Sequence, residues 1–544
     1  MVYEEELCAL GDALDVDELP EEAVSLFEDY FRTGQRLPYE NVYFERRRYL
    51  SILGSLSVLY GRQRDICRLE KVLESVCDER CWALPAHVNR ENGDYRHEID
   101  LFAAETAQTL AELARILKGK IDEKLRIRIV DEVCDRVITP FSENRFGWEQ
   151  NLDNWNAVCC GCLGCAAADT GHLEIIDRVF DDIRHYMDGI SSDGACQEGL
   201  HYWTYGMFYY ILFLERMRDT AEFGERAGQL FSDAKLFKAA QFQQKCYMHG
   251  SRFVAFSDCE RHEKYLPALV AKLGVLFPGK IWRPPVECAL TVMETDCYRY
   301  AMILRSVLWQ KEALGAGVFC DDLEGASVFP ESQWAIYRGK DCAMAVKGGD
   351  NAEPHNHNDV GAFACILGGE ELCTDPARGE YCADYFGEKR YEFLPTSSLG
   401  HCVPVVDGRG QKPGREMCAD IFRADENGNV EISFAAAYGN PSLKSLVRRM
   451  HFDSKESILR VEDSFKSAAG LDIRERLVSF LPVKVCEGVV RIGDRGYLKV
   501  LNYSDCPKIG KQTYRDGSGK ERTLWIIEWP VTGKSRFEFG TFKS

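Results

Sequence analysis

The stretch "GAFACILGGEELCTD", residues 361–375, holds two short apolar runs, one closed by Gly-Gly and the other by Thr-Asp. Apolar runs this short, bounded by turn residues, read as β-strands. The same plan recurs on both sides of it, in "SQWAIYRG", "CAMAVKGG" and "SLGHCVPVVDGRG", then in "GNVEISFAAAYG", "SKESILRVEDSF" and "RTLWIIEWPVTG". Together they predict a large antiparallel β domain over residues 320–544. Upstream the texture differs. "DLFAAETAQTLAELARIL" (100–117), "KLRIRIVDEVCDRVI" (124–138), "HLEIIDRVFDDIRHYM" (172–187) and "MFYYILFLERM" (207–217) carry apolar residues at helical spacing. Residues 1–319 therefore read as helical hairpins packed side by side. A helical half followed by a β half is an α+β multidomain chain, not a wound sheet.

Bulk properties narrow the function. A net charge of -19 argues against nucleic acid or an anionic membrane as partner. An anionic small substrate would need a local positive charge or a metal. No run approaches the ~18 apolar residues of a membrane span. The acidic start, "MVYEEELCALGDAL", is unlike a secretory signal, and the 23 cysteines are odd in number and irregularly spaced. A reducing, cytoplasmic setting is the expectation. The sequence leaves the oligomeric state open, a homodimer included.

Several clusters invite chemistry. "CCGCLGCAA" holds Cys159, Cys160, Cys162 and Cys165 among small residues, in what reads as a helix over Ala157–Ala168. Without a second ligand pair this is close helix packing rather than a metal site. "GRGQKPG" (408–414) follows a strand but precedes no helix, so it reads as a turn. In "DNWNAV" (153–158), Asp153 can cap a helix whose first residues are Asn154, Trp155 and Asn156. These three serve either capping and packing or a sugar cleft, with a carboxamide donor and an indole stacking surface. In "DGACQEGLHYWTYGMFYY" (193–210), Tyr202, Tyr205 and Tyr209 share one helical face, with Glu198 and His201 one turn before. An aromatic stripe is either core or a phenol poised as acid or base. "EPHNHNDVGAF" (353–363), read as a strand, puts His355 and His357 on one face. Asp375 and His401, in a strand-like run of its own, could complete a metal site.

In order along most of the chain, these motifs resemble the heparinase II/III-like polysaccharide lyases, which include alginate lyases. "IDLFAAETA", "NWNAVC" and "DGACQEGLHYWTYG" lie in the first half; "HNHNDVGAF", "TDPARGEY" and "RYEFLPTSSLGH" lie in the second. The most specific signature is H-x-H-x-D, an Asp eighteen residues after the second His, and a later S-x-x-H. The resemblance implies an N-terminal incomplete (α/α) toroid, a C-terminal antiparallel β-sandwich domain and a cleft between them. It implies a metal, normally zinc, held by His357, Asp375 and His401, with Asp359 outside the ligand set. It makes His355 the active-site histidine, Asn154 the residue that neutralises the substrate carboxylate, and Tyr202 the catalytic tyrosine, with Tyr205 in reserve. Trp155, Asn156, Glu198, His201 and Trp203 would line the substrate site. Trp155 stands where many relatives carry a histidine.

The implied reaction is β-elimination on a uronic-acid-containing oligosaccharide or polysaccharide. A glycosaminoglycan such as heparan or heparin leads, with alginate as the alternative polyuronate, and an exolytic mode suits short chains. Two other readings compete: a zinc hydrolase in which both histidines of H-x-H hold one ion, and a glycan-binding protein that keeps the fold without catalysis.

Overall fold

The computed structural model describes residues 2–542 apart from 90, 92, 94, 316, 469 and 487. Helices predominate up to Tyr300–Glu312, and strands from Ala326–Phe329 onward. Local chemistry sets the helix starts. The Asp100 carboxylate accepts from the Ala103 amide at 2.7 Å and opens Leu101–Ile116. Asp153 does the same for Asn154–Thr170, accepting from the Trp155 amide at 3.0 Å. The helix expected over 124–138 is α-helical only to Val133 and continues as a π-turn, Cys134–Ile138. Pro140 lacks the N–H that would extend the ladder, and the widened turn falls just ahead of it.

Six helices neighbour one another in a circuit: Leu37–Tyr60, Leu101–Ile116, Asn154–Thr170, Leu200–Arg218, Pro267–Leu276 and Tyr300–Glu312, which returns to the first. The cysteine-rich helix owes its place to small side chains. Its four cysteines are buried and unpaired. A Cβ on Gly161 would lie 2.7 Å from the Tyr209 carbonyl oxygen of the Leu200–Arg218 helix. Among the described residues, no helix is long and apolar enough to cross a membrane.

The helical half also carries short strands: Tyr247–His249 pairs with Arg252–Phe253, and Ile281–Trp282 runs parallel to Phe319–Cys320. Downstream, a five-stranded antiparallel meander runs from Ala326–Phe329 through Trp334–Arg338, Ala343–Lys347 and Phe363–Leu367 to Glu370–Cys373. Eight-stranded and four-stranded antiparallel sheets follow it. The meander is the layer between the halves. Trp334, Ile336, Ala343 and Ala345 join the helical core, while Ala335, Tyr337, Met344 and Val346 join the core of the other sheets. Both of its faces are covered, so "AMAVK" and "FACIL" show none of the polar alternation of a half-solvated sheet.

One expectation fails here. The chain around His355 and His357 is not a strand. Residues 352–362 form a looped turn between Asp350–Asn351 and Phe363–Leu367, and His355 takes a left-handed backbone, φ +57°. Gly348, Gly349 and Pro354 end the strand pattern before the histidines are reached. His401 likewise follows a 3-10 turn, Ser398–Gly400, rather than lying in a strand.

The helix packing yields a paired prediction. Gly161→Ala forces a methyl against a backbone carbonyl and is expected to cost about 1–3 kcal/mol. Gly228→Ala, in a helix where the new methyl meets nothing within 4 Å, is expected to stabilise by up to ~1 kcal/mol. Thermal melts of the two variants check both signs.

Candidate active site and metal centre

The His355–His357 loop is held from several sides. The Gln411 side chain accepts from the Val360 amide at 2.9 Å and donates to the Val360 carbonyl at 2.7 Å. Arg390 donates to the Asn356 carbonyl at 3.0 Å, and the Tyr391 hydroxyl to the Asn356 side chain at 2.8 Å. Residues 408–414 thus act as the turn expected of them, with Gln411 clamping the loop.

At the centre lies a residue that no motif marked. Asp258, in a turn just after Arg252–Phe253, has a fully buried side chain. One of its oxygens meets His355 Nδ1 at 2.9 Å and accepts from Arg390 at 2.8 Å. The other meets His357 Nε2 at 3.1 Å and accepts from the Tyr385 hydroxyl at 2.8 Å. Burial works against this charge, but Arg390 and the two histidines hold the Asp258 carboxyl well below the usual carboxylate range. An ionised Asp258 only accepts, so it assigns both ring tautomers. His355 carries its proton on Nδ1 and keeps Nε2, which makes no hydrogen bond to a described residue, for the site. His357 carries its proton on Nε2 and keeps Nδ1 for the other side.

Tyr202 lies against this histidine. The rings of Tyr202 and His355 stack with centroids 3.9 Å apart and planes 18° apart. The Tyr202 hydroxyl meets that of Tyr381 at 2.6 Å. Burial, then the charge of Asp258, raises the Tyr202 pKa above its ordinary value, so the resting group is a neutral phenol. Tyr205, three residues on, faces elsewhere. It is buried in the helical core against Arg299, whose guanidinium lies 3.9 Å from its ring centroid.

On the far side of His357 four ligand-type groups converge. His357, Asp359, Asp375 and His401 each offer an atom, all within 4.8 Å of one another, and all four residues are buried. His357 Nδ1, Asp359 Oδ2, Asp375 Oδ2 and His401 Nδ1 have no hydrogen-bond partner among the described residues. Buried polar atoms left this way and turned toward each other fit a cation. The outward nitrogens are committed: His357 Nε2 to Asp258, and His401 Nε2 to the Pro395 carbonyl at 2.7 Å. That is the support metal-bound histidines usually receive. Burial alone would lower the His401 pKa, but Asp375 and then Asp359 raise it to about 9. Two nitrogens and carboxylate oxygens suit zinc. Asp359 differs from expectation: it belongs to the cluster, with its second oxygen 3.0 Å from the buried Lys347 ammonium. The four groups are tied through loops and strand ends, not through three strands.

The remaining expected residues divide by burial. Asn154 lies at the helix start, 1% exposed, with its Nδ2 donating to Glu198 at 2.7 Å and its amide N–H to the other Glu198 oxygen at 2.9 Å. Burial, then Asp153, raises the Glu198 pKa to about 8. Trp155 is half-buried, edge-on to His87 at 4.9 Å, and His201 is half-buried with Nδ1 3.3 Å from Glu263. Asn156 and Trp203 have no surface to offer a ligand. The Asn156 side chain donates to the Glu149 and Asp182 carbonyls, and the Trp203 indole to that of Ala239. The sequence reading missed Asp258, Tyr381, Tyr385 and Arg390. Of these only Tyr381 and Arg390 fall inside stretches already singled out, "TDPARGEY" and "RYEFLPTSSLGH".

The Asn154–Glu198 pair has a pH signature. The raised Glu198 pKa means the folded state prefers the protonated acid. Its stabilising contribution is complete below the ordinary value of 4.5 and is lost as pH rises toward about 8. Glu198→Gln removes that dependence. Denaturant titrations at intervals from pH 5 to 8 are expected to show the variant gaining on the parent as pH rises.

Residues 321–499 match the Heparinase II/III-like, C-terminal family. No curated protein matches the chain. Among solved structures, a mutant of heparan sulfate lyase HepC from Pedobacter heparinus superposes with a TM-score of 0.59 at 11% identity, over 100% of this chain and 87% of that one. Heparinase III gives 0.60 at 13% identity, over 97% and 79%. Chondroitin AC lyase from Streptomyces coelicolor A3, solved in complex with chondroitin sulphate, gives 0.58 at 10% identity, over 100% and 80%. Identities this low establish a shared fold and leave the chemistry to the residues. Residues 321–499 thus match the Heparinase II/III-like, C-terminal family, and the chain as a whole shares its fold with solved heparan sulfate and chondroitin lyases.

Proposed function

We propose that this protein is a polysaccharide lyase that cleaves uronic-acid-containing glycans by β-elimination. The observation that carries the reading is the stacked Tyr202–His355 pair, with His355 Nδ1 tethered to Asp258 and Nε2 left for substrate. The circuit of helices supports reading residues 1–319 as the incomplete (α/α) toroid, and the packed sheets support reading 320–544 as the β-sandwich domain.

The difficulty of the reaction is the acidity of C5, because the adjacent carboxylate resists further negative charge. His355 Nε2 takes the C5 proton. A donor aimed at the carboxylate is worth about 10²–10³ in rate; Asn154, expected in that role, is 1% exposed and donates to Glu198, so it holds the helix start beside the site. The C4–O4 bond breaks, C4 and C5 become doubly bonded, and the neutral Tyr202 phenol gives its proton to the leaving oxygen. The His355 imidazolium and the Tyr202 phenolate then exchange a proton through solvent, which restores both. No water is consumed. Trp155 and His201, both partly exposed, form the sugar-facing surface.

His357, Asp359, Asp375 and His401 would hold a divalent cation, zinc by donor type. Bound there, it would fix the His357 loop by charge neutralisation. Glycosaminoglycans of the heparan and heparin type are the leading substrates, as oligosaccharides cut from an end, with alginate second. The 23 unpaired cysteines favour a reducing, cytoplasmic setting.

Incubation with heparan, hyaluronan, chondroitin and alginate oligosaccharides tests the reading. At least one is expected to yield the ultraviolet absorbance of a C4–C5 double bond, and Tyr202→Phe to reduce that rate by about 10²–10⁴-fold. Cleavage without the absorbance points to hydrolysis, and no cleavage of any uronate to glycan binding alone; either result refutes the lyase.

A further inference from the structure

Near the Tyr202–His355 pair lies a cavity of about 260 Å³, walled by both halves of the chain. His201 and residues 260–264 line one side; Arg378, Tyr514 and Arg522 line the other. Two of its lining residues lead toward the reacting groups. His201 precedes Tyr202 in the chain, and the Arg378 guanidinium lies 4.8 Å from the ring centroid of Tyr381, the hydroxyl partner of Tyr202.

Three pairs of opposite charges close across this cavity, which leaves the Glu263 carboxylate and the Arg261 guanidinium without a charged partner of that kind. Lys264 holds Glu294 at 2.7 Å, Arg378 holds Glu260 at 2.6 Å and Arg522 holds Asp516 at 2.5 Å. Glu263 accepts from the Glu260 amide at 2.9 Å and faces His201. Arg261 makes no hydrogen bond or salt bridge to any described residue, and its Nε is buried without a partner. Its guanidinium carbon lies over the Phe480 ring, 3.6 Å from the centroid. Glu371 attracts it through space but already faces Arg252 at 3.6 Å. Burial lowers the Arg261 pKa from the usual guanidinium range, the mark of a cation given less than full compensation.

A planar fork of donors on an aromatic shelf is suited to bidentate binding of an oxyanion. What sets Arg261 apart is that it alone of the cations lining the cavity has no carboxylate within salt-bridge distance among the described residues. Resting on the lyase reading above, we propose that Arg261 forms an anion subsite that grips a sulfate or carboxylate group on the sugar next to the one held at Tyr202 and His355. Arg261 is then a determinant of which uronate glycan is taken, and it contributes to binding rather than to the chemical step.

The test compares the parent protein with Arg261→Gln, using size-matched sulfated and desulfated glycosaminoglycan oligosaccharides. Calorimetric binding and turnover are measured separately. Arg261→Gln is expected to weaken binding and raise KM about tenfold or more, with kcat within about twofold, the size of a lost charge-assisted pair. Loss confined to the sulfated ligand identifies a sulfate group; equal loss with both identifies the uronate carboxylate. Unchanged binding and KM with both ligands overturns the subsite while leaving a lyase that turns over intact. Weakened binding without turnover by the parent protein supports the subsite and refutes the lyase. Absence of binding of either ligand to the parent protein overturns the subsite.

Discussion

The Asp258 carboxylate is the constraint on which the rest of the site depends. A buried charge is tolerated only when it is fully paired, and this one has Arg390, Tyr385, His355 and His357 around it. Hydrogen bonds to a charged group are worth roughly 1.5–3 kcal/mol each, so the cluster is rigid by energetics as well as by geometry. Asp258 comes from the helical half, and its partners come from the β half. The same carboxylate therefore closes the contact between halves and orients the rings of two histidines. Without it both rings would lose this partner, and the proposed division between a reacting His355 and a ligating His357 would lose its physical basis.

The five-stranded meander makes this possible. Because it is buried on both faces, its position against the helices is set to within side-chain packing. The loop that leaves Ala343–Lys347 and returns at Phe363–Leu367 then carries His355 and His357 to the boundary. Lys347 and Asp359 are paired at its base, 3.0 Å apart and both buried.

Much of this was legible in the chain, and the limits have physical causes. The change from helical periodicity to short apolar runs marked the two halves, since a helix buries one stripe whereas a short strand covered on both faces is apolar throughout. The H-x-H pair and its distant Asp and His marked a site. Alternation by two, however, is the same in a strand and in an extended loop, so "EPHNHNDVGAF" read as a strand although Gly348, Gly349 and Pro354 stood beside it. Tyr202 and Tyr205 share a helix stripe in the letters, yet only one reaches the boundary between halves. Asp258 was invisible for a different reason. It pairs with a histidine 97 residues away and sits in "FSDCERH", a segment without periodicity or motif. Only tertiary structure brings such a group to its partners.

The central claim is that one carboxylate serves both the histidine that reacts and the one that ligates. The most direct measurement is the metal content and turnover of Asp258→Asn, taken together on protein whose circular dichroism matches the parent. The account predicts that the parent holds a divalent cation, and that the variant loses a large share of both the cation and the activity. Full activity with the cation retained would contradict it.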